Sequence, residues 1–212
     1  MINTITLVVA DDHPLLLCGL VGQLKEYNYN VIGTAENGVQ ALTKIMELQP
    51  TIAILDEEMP MLTGFEVIQK CKEKQVDTKF IILTSHKEKA FIYKAHKLNI
   101  SGYIIKDEPF TEVHNCIQSV SKGTPYFSAV FNAVFNDKVV PQLQILKLLS
   151  PSERTIVRLV AQEKSSKDIA VLLSLSARTI EKHRSNIINK LGLAKEKDIL
   201  NIWAKENIEF VL

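Results

Sequence analysis

Cysteine is scarce in this chain, and what there is shows no pairing by spacing: Cys18, Cys71 and Cys116 stand far apart, with no Cys-x-x-Cys. An odd, scattered set argues against a disulfide framework and a cysteine-based metal site, and fits free thiols in a reducing cytosol. No apolar run reaches the roughly 18 residues that a membrane helix needs, and nothing resembles a signal peptide. The expected location is therefore cytoplasmic, without membrane contact. Internal repeats and low-complexity segments are also absent. Net charge is small, +1 over 212 residues, but unevenly placed. Residues 150–212 hold 11 Lys+Arg against 8 Asp+Glu, a surplus of +3 that leaves −2 for the rest. A basic excess in the C-terminal third fits nucleic-acid contact without establishing it.

What is present is an alternation of short apolar runs with helical stripes. Thr4–Ala10, Val31–Ala35, Ile52–Leu55, Phe80–Leu83 and Gly102–Ile105 read as strands. Between and after them lie stripes such as Val39, Leu42, Ile45 and Met46, or Phe65, Val67, Ile68 and Cys71, and a last helix over about 109–120. Five strands alternating with five helices imply a parallel sheet covered on both faces. Polar residues fall at the strand ends: Asp11 and Asp12 after the first, Asp56 after the third, Thr84 after the fourth and Lys106 after the fifth. The C-terminal ends of parallel strands converge on one crevice. Taken singly, each has an ordinary reading: a helix N-terminal acid, strand-end packing, a solvated charge. Together, three carboxylates need a cation among them, and an all-oxygen set suits Mg²⁺. A lysine and a hydroxyl opposite would hold an anion, which completes a phosphoryl-transfer site with Asp56 as nucleophile.

Residues 1–121, with Asp11-Asp12, Asp56 followed by Met59-Pro60 and Gly64, Thr84 and Lys106 in this order, resemble the receiver domain of two-component response regulators. The resemblance implies a flavodoxin-like (βα)5 fold with strand order 2-1-3-4-5. It implies phosphorylation of Asp56 to an aspartyl phosphate by a sensor histidine kinase. Mg²⁺ would be held by Asp12, Asp56 and the backbone carbonyl of Glu58, with Asp11 through water. Thr84 and Lys106 would bind the phosphoryl group, and Thr84 and Tyr103 would act as the switch, Tyr103 turning inward. His13 reads as a turn residue, and His86, His96 and His114 as surface residues. The extra acids Glu57 and Glu58 read either as solvated loop carboxylates or as a device in which Glu58 overhangs the site and alters the lifetime of the phosphoryl group.

Residues 122–148 lose the alternation and read as a linker, with a short helix near 129–136 whose Phe127, Phe131 and Phe135 dock on a neighbouring domain. From 149 to 212 the pattern is all helical. Ser150-Pro151-Ser152-Glu153 forms a capping box, Ser165–Asp168 a second cap, and Ser176 caps a helix over 177–191 that buries Ile180 and Ile187. A fourth helix carries Ile199, Leu200, Ile202 and Trp203. Ser174–Gly192 resembles the LuxR-type helix-turn-helix, and the whole chain resembles NarL/FixJ-type response regulators. The resemblance places helix 177–191 in the major groove of double-stranded DNA. Arg178, Thr179, Lys182 and Asn186 would face bases or groove, and His183, Arg184 and Lys190 phosphates. Ser152 and Glu163 depart from the family, where arginine and glycine are frequent. The expected protein is a non-enzymatic regulator whose phosphorylation favours a homodimer on DNA. The rivals are a phosphorylation-independent DNA binder with a scaffold receiver, and a Mg²⁺-dependent phosphatase.

Overall fold

The computed structural model describes residues 5–194, 196 and 198–211, and the chain divides into two compact units, Met1–Val134 and Phe135–Leu212. In the first, β1 (Thr6–Ala10), β2 (Asn30–Ala35), β3 (Ile52–Leu55), β4 (Lys79–Thr84), β5 (Gly102–Ile105) and β6 (Tyr126–Phe127) form one parallel sheet in the order 2-1-3-4-5-6. Thr4, expected to open the first strand, lies outside the described residues. The helices are α1 (Pro14–Glu26), α2 (Gly38–Leu48), α3 (Gly64–Glu73), α4 (Lys89–Lys97), α5 (Phe110–Ser121) and α6 (Ala129–Val134). All four residues of β3 are buried, as a strand covered on both faces requires. Caps set the helix starts: the Asn37 side chain accepts the Gln40 N–H, and Thr63 and Glu66 form a reciprocal capping box.

The stretch read as a linker is structured. β6 extends the sheet beside β5, and the amide N–H groups of Tyr126 and Ser128 donate to the carbonyls of Ser101 and Tyr103 at 2.9 and 3.1 Å. α6 then lays Phe131 against Phe127 and Tyr103, ring centroids 4.6 and 5.1 Å apart. A two-residue strand is too short to show alternation, which is why the sequence pattern misses it.

The second unit holds a π-helical turn over Phe135–Val139, then α7 (Val140–Lys147), α8 (Pro151–Ala161), α9 (Ser166–Leu172), α10 (Ala177–Lys190), α11 (Ile199–Glu206) and a single turn α12 (Ile208–Val211) that adds to the four helices expected. Pro141 sits in the first turn of α7, where a missing N–H is harmless. Ile156, Val157, Ile169, Ile180, Ile187 and Leu200 form the centre of the core. Ser150, Ser165 and Ser176 all cap as the sequence indicates. Glu163 takes the left-handed conformation, φ 61°, so the end of α8 keeps the shape that glycine usually supplies even though a side chain is present.

Glu153 joins two roles, closing the Ser150 box and receiving a 2.7 Å bond from Lys190 Nζ of α10. Burial pushes its carboxyl pKa up, but Lys190 and Ser150 outweigh this, and the result lies below the usual glutamate value. A depressed carboxylate contributes stability above its unfolded pKa, and loses it as pH falls through the folded one. Glu153→Ala is therefore expected to cost about 2 kcal/mol at pH 7, from lost cap and lost charged bond. In urea unfolding, the gap to the wild type should close as pH drops below the ordinary glutamate range.

Candidate functional site

The parallel ladder continues one step past the strands, and this sets the site. The Asp11 N–H donates to the Ala35 carbonyl at 3.1 Å, the Asp56 N–H to Ala10 at 2.8 Å, and the Lys106 N–H to Thr84 at 2.8 Å. Asp11 and Asp56 are 3% and 5% exposed, and Thr84 is buried. Lys106 Nζ donates to Asp56 Oδ2 and Asp11 Oδ2, both at 2.8 Å, and so bridges the two acids. Asp56 Oδ1 accepts the Glu57 N–H at 2.7 Å, and Asp11 Oδ1 accepts the His13 N–H at 2.9 Å. Burial raises the Asp56 carboxyl above its usual value, with Asp11 adding to the rise and Lys106 and the Glu57 N–H opposing it. Lys106 is also raised: burial disfavours its charge, but the two carboxylates more than compensate.

Asp12 completes the acidic group. Its Oδ1 is buried and accepts no hydrogen bond among the described residues, with the His13 ring Nδ1 2.9 Å away. Ligand atoms of Asp11, Asp12, His13 and Asp56 all lie within 4.8 Å of one another. His13, read from the sequence as a turn residue, thus stands among the acids. An orphaned carboxylate oxygen beside two buried ones is the donor set of a hard divalent cation.

Gly64, at the start of α3, is required by close approach. A Cβ there would lie 2.3 Å from the Asp56 carbonyl oxygen. Gly64→Ala is expected to displace the Asp56 backbone and destabilise the fold by about 2 kcal/mol. Denaturant unfolding measures the cost, and it should arrive with impaired cation binding.

Around the pocket the structure differs from several expectations. Tyr103 is already inward and fully buried, its hydroxyl donating to the His86 carbonyl at 2.9 Å. Burial raises its pKa well above the usual tyrosine range. Glu57 is not a solvated loop acid but 3% exposed, whereas the Glu58 side chain is 70% exposed. His86 is not a free surface residue: it lies between Glu58 and Glu88 and stacks on Phe91. His114 is likewise engaged, accepting or donating at 2.9 Å to the Tyr29 hydroxyl. A hydrophobic strand end followed by three acids gave no signal as to which acid turns inward.

In the second unit, the turn between α9 and α10 is closed by Ser174 at φ 54° and by the Leu175 N–H donating to the Ala170 carbonyl at 2.9 Å. α10 buries Ile180 and Ile187 and leaves Arg178, Lys182 and Asn186 exposed on its outer face. Thr179 is half-buried, its hydroxyl 2.8 Å from that of Ser176. His183 and Arg184 are also half-buried, and Arg184 donates to Asn201 Oδ1 at 2.7 Å. Arg184 and Lys190, expected to serve phosphates, are thus tied to α11 and α8.

Residues 7–118 match the response regulator receiver domain, and residues 147–205 match the luxR family of bacterial regulatory proteins. The oxygen regulatory protein NreC of Staphylococcus epidermidis is 30% identical over 213 residues, covering 95% of this chain and 98% of that protein. The transcriptional regulatory protein MctR of Rhizobium johnstonii is 31% identical over 191 residues, 89% of this chain and 88% of that one. Among solved structures, the receiver domain of NarL from Mycobacterium tuberculosis is 32% identical with a TM-score of 0.55, covering 57% of this chain and 98% of that one. The RcsB response regulator of Salmonella typhimurium shares the fold, with a TM-score of 0.68 at 24% identity over 95% of this chain and 99% of that one. The chain belongs to the response regulators, with a receiver domain followed by a LuxR-type DNA-binding domain. Of these relatives, MctR is by name a transcriptional regulatory protein and NreC an oxygen regulatory protein.

Proposed function

We propose that this protein is a phosphorylation-switched transcription regulator acting in the cytoplasm, with Asp56 as the residue that accepts a phosphoryl group from a sensor histidine kinase. The observation that carries the reading is the trio of Asp11, Asp56 and Lys106, in which one half-buried ammonium bridges two buried carboxylates at 2.8 Å and leaves one negative charge unbalanced. An Asp56 carboxylate oxygen attacks phosphorus as the phosphorus–nitrogen bond to the donor histidine breaks, and the nitrogen keeps the electron pair. Lys106 and the Thr84 hydroxyl then hold the phosphoryl oxygens. Asp12, Asp56 and the Glu58 carbonyl, with Asp11 through water, would hold Mg²⁺, which when bound offsets the negative charge gathered at the phosphorus. The orphaned Asp12 oxygen supports that assignment.

The Thr84 hydroxyl, which accepts the His86 N–H at 3.3 Å, would donate its own proton to the phosphoryl group, so any shift of Thr84 toward it draws on the His86 backbone. That links the chemistry to the loop on which Tyr103 is anchored. The altered face favours a homodimer, and two α10 helices then meet paired half-sites in the major groove of duplex DNA. Arg178, Lys182 and Asn186 are free to read base edges, with Thr179 at the margin, while His183, Arg184 and Lys190 position the helix and its phosphate contacts.

The test compares wild-type protein before and after acetyl phosphate and Mg²⁺, by DNA affinity and by mass in solution. Affinity and dimer fraction rising together support the reading. Phosphate-indifferent affinity would make the receiver a scaffold.

A further inference from the structure

Beside the phosphoacceptor pocket lies a second group with a different donor set. Ligand atoms of Glu57, Glu58 and His86 fall within 4.8 Å of one another. His86 Nε2 is 3.0 Å from Glu58 Oε1, while its Nδ1 is 3.2 Å from Glu88 Oε2 and its ring stacks on Phe91 at 4.0 Å. Glu57 is 3% exposed. Lys94 acts on it electrostatically, but the Lys94 ammonium sits 5.0 Å over the Phe65 ring. A cation close to so little-exposed a carboxylate offsets the cost of its burial.

We propose that Glu57, Glu58 and His86 bind a first-row divalent ion of the Zn²⁺ kind, separate from the ion of the Asp11, Asp12 and Asp56 pocket. Imidazole in the donor set favours Zn²⁺ over Mg²⁺. Ligands about 2.0 Å from a tetrahedral ion stand about 3.3 Å apart, close to the spacing of Nε2 and the Glu58 oxygen. The Glu88 carboxylate on Nδ1 fixes the tautomer with the Nε2 lone pair facing the ion, the outer arrangement of metal-bound histidines. Water takes the fourth position. The ion would tie the loop after β3 to the loop after β4, whose His86 carbonyl accepts the Tyr103 hydroxyl. Metal occupancy would thus restrain the segment that follows Thr84.

The experiment is Zn²⁺ titration of the full chain against a chromophoric chelator, with Mg²⁺ in excess. One equivalent should bind the wild type. His86→Ala and Glu58→Gln should each lose at least tenfold in affinity, and Glu88→Gln about tenfold. The exposed position of Glu58 makes its variant safe for folding, and thermal unfolding without Zn²⁺ checks the others. Asp12→Asn and His13→Ala should keep the wild-type Zn²⁺ affinity. Binding that survives in His86→Ala, or vanishes in Asp12→Asn or His13→Ala, overturns the proposal by placing the ion in the phosphoacceptor pocket. Absence of saturable binding overturns it outright. None of these readouts depends on phosphorylation of Asp56.

Discussion

Asp56→Asn is expected to take up no phosphoryl group from acetyl phosphate while remaining fully folded. The amide keeps the shape of the carboxylate and one oxygen for the Glu57 N–H, now 2.7 Å away, or for Lys106. What it loses is the nucleophile, so labelling should fall to background, and phosphate-dependent DNA affinity with it. Stability should hold or rise. Burial raises the Asp56 pKa, so ionised Asp56 costs the folded state more than the unfolded one at neutral pH, and asparagine removes that charge. Labelling by intact-protein mass and a thermal melt separate lost chemistry from lost fold. A variant that still gains the phosphoryl mass would place the acceptor elsewhere.

The second large effect is expected at Lys106. Lys106→Ala strips the shared ammonium from Asp11 and Asp56, both buried, and breaking such a group by removing one partner should cost about 3 kcal/mol at pH 7. The pH dependence has a definite sign. With the folded pKa of Asp56 above the unfolded one, the folded state holds more protons between the two values, and stability falls as pH rises through that window. Without Lys106 the folded value moves further up and the window widens. The deficit of the variant should therefore shrink as pH falls toward the ordinary carboxylate range. It should shrink too at strongly alkaline pH, where wild-type Lys106, itself raised, gives up its proton. Mg²⁺ should stabilise the variant more than the wild type, because no ammonium competes for the same oxygens. Denaturant unfolding at several pH values, with and without Mg²⁺, reads all three. A variant equal to the wild type at pH 7 would show that the trio is solvated.

The strand ends were legible because each carries a polar residue directly after an apolar run, and parallel strands bring their ends together by topology alone. Capping serines announced themselves through spacing to Glu153 and Asp168. What the sequence hid depends on the direction a side chain takes once the chain is folded. Glu57 and Glu58 are adjacent acids of the same type, and one turns inward while the other faces solvent. Arg184 and Lys190 carry the charge of phosphate ligands, but their partners, Asn201 and Glu153, are 17 and 37 residues away. His86 gained its neighbours from the loop after β3 (Glu58) and from the cap and first turn of α4 (Glu88 and Phe91), which periodicity positions only roughly. Local pattern fixes elements and their ends, whereas these pairings come from tertiary placement.

The two residues of β6 have a consequence for handling the receiver in isolation. A fragment ending at Ser121 would bare the flank of β5, a row of unsatisfied amide and carbonyl groups beside the apolar Tyr103, Ile104 and Ile105. An open parallel edge of that kind templates pairing with other chains, and such a fragment should self-associate. Extending it through Val134 restores the cover that Tyr126, Phe127 and Phe131 provide.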